Sequence, residues 1–177
     1  VGMPKDAVDD FFEEAPPSAS MIGSVRSFGY TLNTAVCDII DNSVSAGAKN
    51  INIRLYWNEG DPWLAIVDDG HGMTENELKK NMVLCSTPPD AKREKTDLGR
   101  FGLGMKSASF AMARQLNVFS KTSNSGVSFR QWDLDVVAER NQWSVFTKIP
   151  DWYEGFDEEY KIGNSGTIIV WKKADRL

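Results

Sequence analysis

The last third of the chain constrains the fold most. After the apolar, helically spaced "GMKSASFAMA" come four strand-like segments in a row: "LNVFSK", "VSFRQWDL", "WSVFTK" and "GTIIVWKK". They are rich in β-branched and aromatic residues, and Gly, Asn, Ser or Pro lie between them. Strands that follow one another in this way break strict βαβ alternation, so a doubly wound parallel sheet is disfavoured. Upstream, "INIRLYW" and "PWLAIVDD" read as two further strands around the turn "NEGDP". The expected fold is α+β: a two-layer sandwich with helices on one face of a mixed, mainly antiparallel sheet.

Helix signals fill the gaps. Ser18 or Ser20 caps a short helix running to about Phe28 and stopped at Gly29. A longer helix spans about Leu32 to Ala46 and stops at Gly47. Thr74 and Glu77 form a capping box, predicting a helix over about 75–84. Residues 85–99, "CSTPPDAKREKTDLG", carry two prolines and little apolar content, and read as a long loop. Residues 1–17 are acidic and end in Pro16-Pro17, so they are taken as an N-terminal arm, with 18–177 as one domain.

Composition excludes several function classes. No apolar run approaches the ~20 residues that a membrane helix needs, and no signal peptide is recognisable, so no membrane partner is expected. With two cysteines and one histidine, a disulfide framework or a Cys/His zinc centre is excluded. Reduced cysteines are expected, and a cytoplasmic location with them. The net charge of −5 argues against a nucleic-acid footprint on this acidic stretch of chain. A local basic run (Lys92, Arg93, Lys95, Arg100, Lys106) suits a polyphosphate instead.

Three sites carry chemistry. In "CDIIDNSVSAGA", Asp38 and Asn42 are four residues apart, hence about 40° apart around a helix and ~6 Å along it. Such a polar stripe on an apolar helix either meets water or lines a pocket. An amide oxygen from Asn42 suits Mg²⁺, which takes oxygen ligands and keeps waters and phosphates. Asp38, one turn earlier, can orient or deprotonate a water. The second site is Asp68-Asp69-Gly70-His71-Gly72-Met73, which places a carboxylate at the end of a strand beside two glycines. A carboxylate accepts hydrogen bonds only, as an exocyclic amine of adenine requires. The third is "GRFGLGMKSAS", glycines opening a helix whose free N–H groups bind anions, with Lys106 and Arg100 adding charge. It is not a P-loop, because Met105 separates Gly104 from Lys106.

Taken in order, "CDIIDNS-x-x-A", "DDGHGM", "GRFGLGMKSAS" and the closing Gly166-Thr167 strand resemble the sequence boxes of the GHKL ATPases. That superfamily includes gyrase, heat-shock chaperones, histidine kinases, MutL and MORC proteins. The resemblance covers about residues 20–172 and is nearest to the bacterial MORC and MutL side. It implies a Bergerat-type ATP-binding fold. It also implies that Asn42 binds Mg²⁺, and that Asp68 accepts from the adenine amine with Thr167 nearby. Ala46 and Met73 would pack on the base, and Gly70 and Gly72 would admit the nucleotide to the backbone. Residues 85–103 would be the ATP lid. Arg100, Phe101, Gly102, Leu103, Gly104, Met105 and Lys106 would hold the phosphates.

Two positions depart from the family pattern. Asp38 stands where Glu is usual, and Ser45 where many members have Asp. In gyrase, MutL and MORC relatives a following transducer-type domain supplies a lysine to the γ-phosphate. This chain stops shortly after the Gly-Thr strand, which implies an ATP-binding fragment with weak turnover on its own. The activity implied is Mg²⁺-dependent ATP binding and slow hydrolysis, tied to lid closure and a nucleotide-dependent homodimer. A nucleic-acid transaction (restriction, repair or defence) is implied for a longer protein. The alternatives are kinase-type phosphotransfer and a non-hydrolysing ATP sensor.

Overall fold

In the computed structural model, described over residues 18–27, 29–57, 60–83, 104–156 and 161–177, all six strand-like segments enter one sheet. The strands are β1 (Ile51–Tyr56), β2 (Trp63–Asp68), β3 (Gln115–Lys121), β4 (Ser128–Asp133), β5 (Val145–Phe146) and β6 (Gly166–Lys172). Their order is β1-β2-β6-β3-β4-β5, and every pairing is antiparallel. The last strand in sequence is therefore inserted between β2 and β3. Its register sets Asp68 opposite Thr167 and Lys121 opposite Gly166.

The helices are α1 (Ser18–Arg26), α2 (Leu32–Ser45), α3 (Glu75–Met82), α4 (Gly104–Met112) and α5 (Leu134–Arg140). α2 begins at a capping box: the Thr34 amide donates to Thr31 Oγ1 and the Thr31 amide to Thr34 Oγ1. α3 begins at the expected Thr74/Glu77 box. α5 was not anticipated, because "VSFRQWDL" reads as strand through Leu134. Asp133 instead caps a new helix by accepting from the Asp135 amide, and Asn141 ends it in a left-handed conformation.

Strand alternation sends side chains to two cores. Leu64, Ile66, Leu116, Val118, Ile169 and Trp171 meet Ile39, Leu78, Ala108 and Phe110 on the helical face. Ala65, Val67, Phe119, Phe129, Ile168 and Val170 point the other way. That second face is covered by Trp152, Tyr153 and Phe156, with Tyr153 stacked on Phe119 at 4.3 Å between ring centroids. Double coverage explains why β2 and β6 are buried almost end to end.

At the site-bearing end of the sheet, Asp69 clasps the start of β1. It accepts from the amides of Lys49 and Asn50 and from the Asn50 side chain at 2.7–2.9 Å. These donors, the Asn50 amide first, hold its carboxyl down at about 2. The arm at 1–17 and the whole of the lid at 85–103 lie outside the described residues.

Candidate functional site

The buried face of α2 carries Ala35, Ile39 and Ser43, spaced one turn apart. One position back lies a parallel row, Asp38, Asn42 and Ala46. Since this row borders the core face, it opens on the space between α2, α3 and α4. Asn42, Ser45 and Ala46 line a cavity of about 350 Å³ there, with His71, Gly72, Met73, Asn81, Gly104, Met105, Lys106 and Thr167. The polar stripe thus lines a pocket over part of its length. Asp41, by contrast, is exposed and does not line it. Asp38 is half-buried at the cavity's α4 end, where a Cβ added to Gly104 would stand 3.9 Å from its Oδ2.

Asp68 closes β2 and is buried. Its Oδ1 accepts from the Gly70 amide (2.9 Å) and the Thr167 amide (3.2 Å), and its Oδ2 from Ser43 Oγ (2.9 Å). An ionised carboxylate offers about four acceptor positions, so one is left for a further donor. Burial pushes the Asp68 carboxyl above its ordinary range, and the three hydrogen bonds offset this only in part. Gly70 is needed for space: a Cβ there would lie 2.8 Å from Ala46 Cβ. The Met73 amide donates to Ser120 Oγ at 2.8 Å, and Ser120 lies 2.9 Å from Thr167 Oγ1.

At the opposite wall, Lys106 is 1% exposed although it carries a charge. Its Nζ donates to the Asn81 carbonyl oxygen at the C-terminal end of α3, where carbonyls lack helical partners and favour cations. Gly104 and Met105 join it on the cavity lining. The other expected phosphate-loop residues, Arg100, Phe101, Gly102 and Leu103, lie outside the described residues. His71 is exposed, with its Nδ1 2.6 Å from the Gly72 carbonyl oxygen.

The structure therefore gathers Asn42, Ala46, Gly72, Met73, Gly104, Met105, Lys106 and Thr167 around one cavity; Asp68 is hydrogen-bonded to its Thr167, Gly70 packs close to its Ala46, and Asp38 lies near its Gly104. A larger cavity, about 900 Å³, lies on the far side of α3 between Met21, Trp132 and Trp143. None of the residues expected to do chemistry lines it, so chemistry rather than volume selects the smaller one. Sequence reasoning missed Ser43, Asn81, Ser120 and Tyr30. Ser43 carried a signal, being four residues after Ile39 on the apolar face. Tyr30 lies just ahead of α2 with no pattern to mark it, and Asn81 and Ser120 sit on α3 and β3, which meet the site by packing.

The chain matches the sequence profile described as "Histidine kinase-, DNA gyrase B-, and HSP90-like ATPase" over residues 30–167. It is similar to the DNA mismatch repair protein MutL of Dictyoglomus turgidum, 28% identical over 116 residues, covering 62% of this chain and 19% of that protein. It is also similar to ATPase morc-1 of Caenorhabditis elegans, 24% identical over 122 residues, with coverage of 67% and 14%. The chaperone HtpG of Oceanobacillus iheyensis is 28% identical over 103 residues, with coverage of 54% and 16%. The chain thus spans under a fifth of the length of each of these relatives.

Proposed function

The chain belongs to the histidine kinase-, DNA gyrase B- and HSP90-like ATPase family, the GHKL ATPases, and from that premise we propose that its cavity binds Mg²⁺-ATP and hydrolyses it slowly. The observation that carries this reading is the buried Asp68, with one acceptor position left, held by Ser43 and by the amides of Gly70 and of Thr167, which itself lines the cavity. Such a group accepts the adenine amine, while Ala46 and Met73 contact the ring. Lys106 exchanges the Asn81 carbonyl for phosphate oxygens. Arg100 and the backbone of residues 101–105 complete the phosphate site from the lid.

Asn42 fits Mg²⁺. It is exposed on the cavity wall and offers a hard oxygen, and no cluster of three or more His, Cys, Asp or Glu competes for a metal among the described residues. Bound there beside phosphates, the ion would neutralise charge that develops on them. Asn42→Ala is expected to weaken ATP binding at least ~10-fold in Mg²⁺. The variant should match wild type in EDTA, as titration calorimetry would show; equal affinities in Mg²⁺ would remove Asn42 from the metal site.

Asp38 is the general base: it holds the attacking water and takes its proton. Asp38→Asn is expected to lower phosphate release at least ~10²-fold while the ATP dissociation constant stays within about twofold. A fully active Asn variant would reassign the base. If wild type itself binds ATP without turnover, the domain is a non-hydrolysing sensor, the reading that the shortened acid at 38 favours.

No helix among the described residues is long and apolar enough to cross a membrane. By likeness to the DNA mismatch repair protein MutL, the domain acts within a longer protein in a nucleic-acid transaction. ATP closes the lid and pairs two copies there, and a following domain contributes the γ-phosphate lysine. Nucleotide-dependent dimerisation of the full-length protein, measured by sedimentation, tests this step.

A further inference from the structure

We propose that Tyr30 is a positioning residue for the hydrolytic carboxylate: its hydroxyl holds one oxygen of Asp38 and leaves the other to the attacking water. The inference rests on the reading of Asp38 as the base, and adds a residue that the sequence boxes do not contain.

Tyr30 directly precedes the N-cap Thr31, and its half-buried ring packs against the core beside α2. Its hydroxyl is 2.8 Å from Asp38 Oδ2 and 3.4 Å from Ser107 Oγ. The direction of the short bond is fixed by chemistry. An ionised carboxylate has no proton to give, so the phenol donates. Burial, and to a lesser degree the Asp38 carboxylate itself, raise the Tyr30 pKa above its ordinary value, so the phenol keeps that proton. The single phenolic proton is then spent on Asp38. Ser107 Oγ lies 3.4 Å from the Tyr30 hydroxyl and 3.4 Å from the Gly104 carbonyl oxygen. Among the described residues, Tyr30 is the one hydrogen-bond partner of the Asp38 carboxylate.

The bond has a use. Asp38 carries one methylene less than Glu, so its carboxyl cannot reach by changing rotamer along a longer stem. Its position must come from the backbone of α2 and from a neighbour that fixes χ2. Tyr30 supplies that neighbour from outside the helix. Through Ser107 it also touches α4, the helix that follows the lid and carries Lys106.

The test is Tyr30→Phe in the full-length protein, which removes one oxygen and keeps the ring packing. The expected result is a kcat lowered roughly 10- to 100-fold, the loss associated with a misplaced reacting group. The ATP dissociation constant and the melting temperature should stay close to wild type. The double variant Tyr30→Phe/Asp38→Asn should be no slower than Asp38→Asn alone. Wild-type turnover in Tyr30→Phe, with Asp38→Asn inactive, overturns the positioning role and leaves the base standing. A parallel loss of ATP affinity and of kcat makes Tyr30 a scaffold residue and also overturns it. Full activity in Asp38→Asn removes the base itself, and the proposal with it.

Discussion

Replacing Gly72 by alanine is expected to destabilise the whole domain, not merely to weaken nucleotide binding. The Gly72 backbone has φ +67°, where an L side chain is strained. A Cβ there would stand 1.9 Å from the Lys121 carbonyl oxygen and 2.9 Å from that of Gly166. Both obstacles are backbone atoms of paired strands, β3 and β6, so neither moves without opening the sheet. Backbone strain of ~1–3 kcal/mol and a clash of similar size together reach roughly 3–5 kcal/mol. That is a large share of the ~5–15 kcal/mol that holds a domain together. In a chain of this size it lowers the melting temperature by about 10 °C or more. Calorimetric melting of Gly72→Ala reads it directly. A melting temperature unchanged with only ATP affinity lost would return Gly72 to the nucleotide-facing role that the sequence suggested.

The second large effect is expected at Asp68. Asp68→Asn keeps the shape and can still accept from the Gly70 and Thr167 amides, with its amide group facing Ser43. It loses a charged acceptor, a group whose hydrogen bonds are worth about 1.5–3 kcal/mol. Affinity for ADP should fall roughly 10- to 100-fold, with little change in melting. Acid should act in two opposite directions at wild-type Asp68. Its folded pKa is raised by burial, so the folded protein takes up this proton more readily than the unfolded chain. The cost of keeping the carboxylate charged inside the fold is present above the folded pKa and is relieved as pH falls through it. At Asp68, then, acidification strengthens the fold. The adenine amine needs the ionised acceptor, so affinity falls in the same window, starting above the ordinary aspartate range. Comparing ADP affinity with pH in wild type and Asp68→Asn cancels the titration of the phosphates. Parallel pH profiles in the two proteins would remove Asp68 as the base acceptor.

Much of the site was legible because its residue types are restrictive. Asn42 and Asp38 are poor choices for an apolar helix interior, so their spacing of four residues marked a stripe that either meets water or lines a pocket. Thr74 announced a helix start through local hydrogen bonds that need no tertiary partner, whereas the Thr31 box at the start of α2 emerged only in the structure. α5 was hidden because Leu134 and the aromatic residues before it fit the strand "VSFRQWDL", while the Asp133 cap starts a helix there. Gly70 and Gly72 were legible as special positions, but their reason was not. Ala46, Lys121 and Gly166, which crowd them, come from three different parts of the chain.

Local chemistry, then, determined the elements and the candidate groups: a carboxylate at a strand end, an amide on a helix face, a lysine behind glycines. Only the tertiary structure decided which of them share a cavity. The decisive step is the insertion of β6 between β2 and β3, which brings the Thr167 amide to Asp68 across 99 residues of sequence. Lys106 meeting Asn81 depends likewise on how α3 and α4 dock. Propensity and periodicity act over a few residues and are written locally. Strand order and helix docking are settled by which arrangement buries both faces of the sheet at once, a property of the whole chain that no segment carries alone.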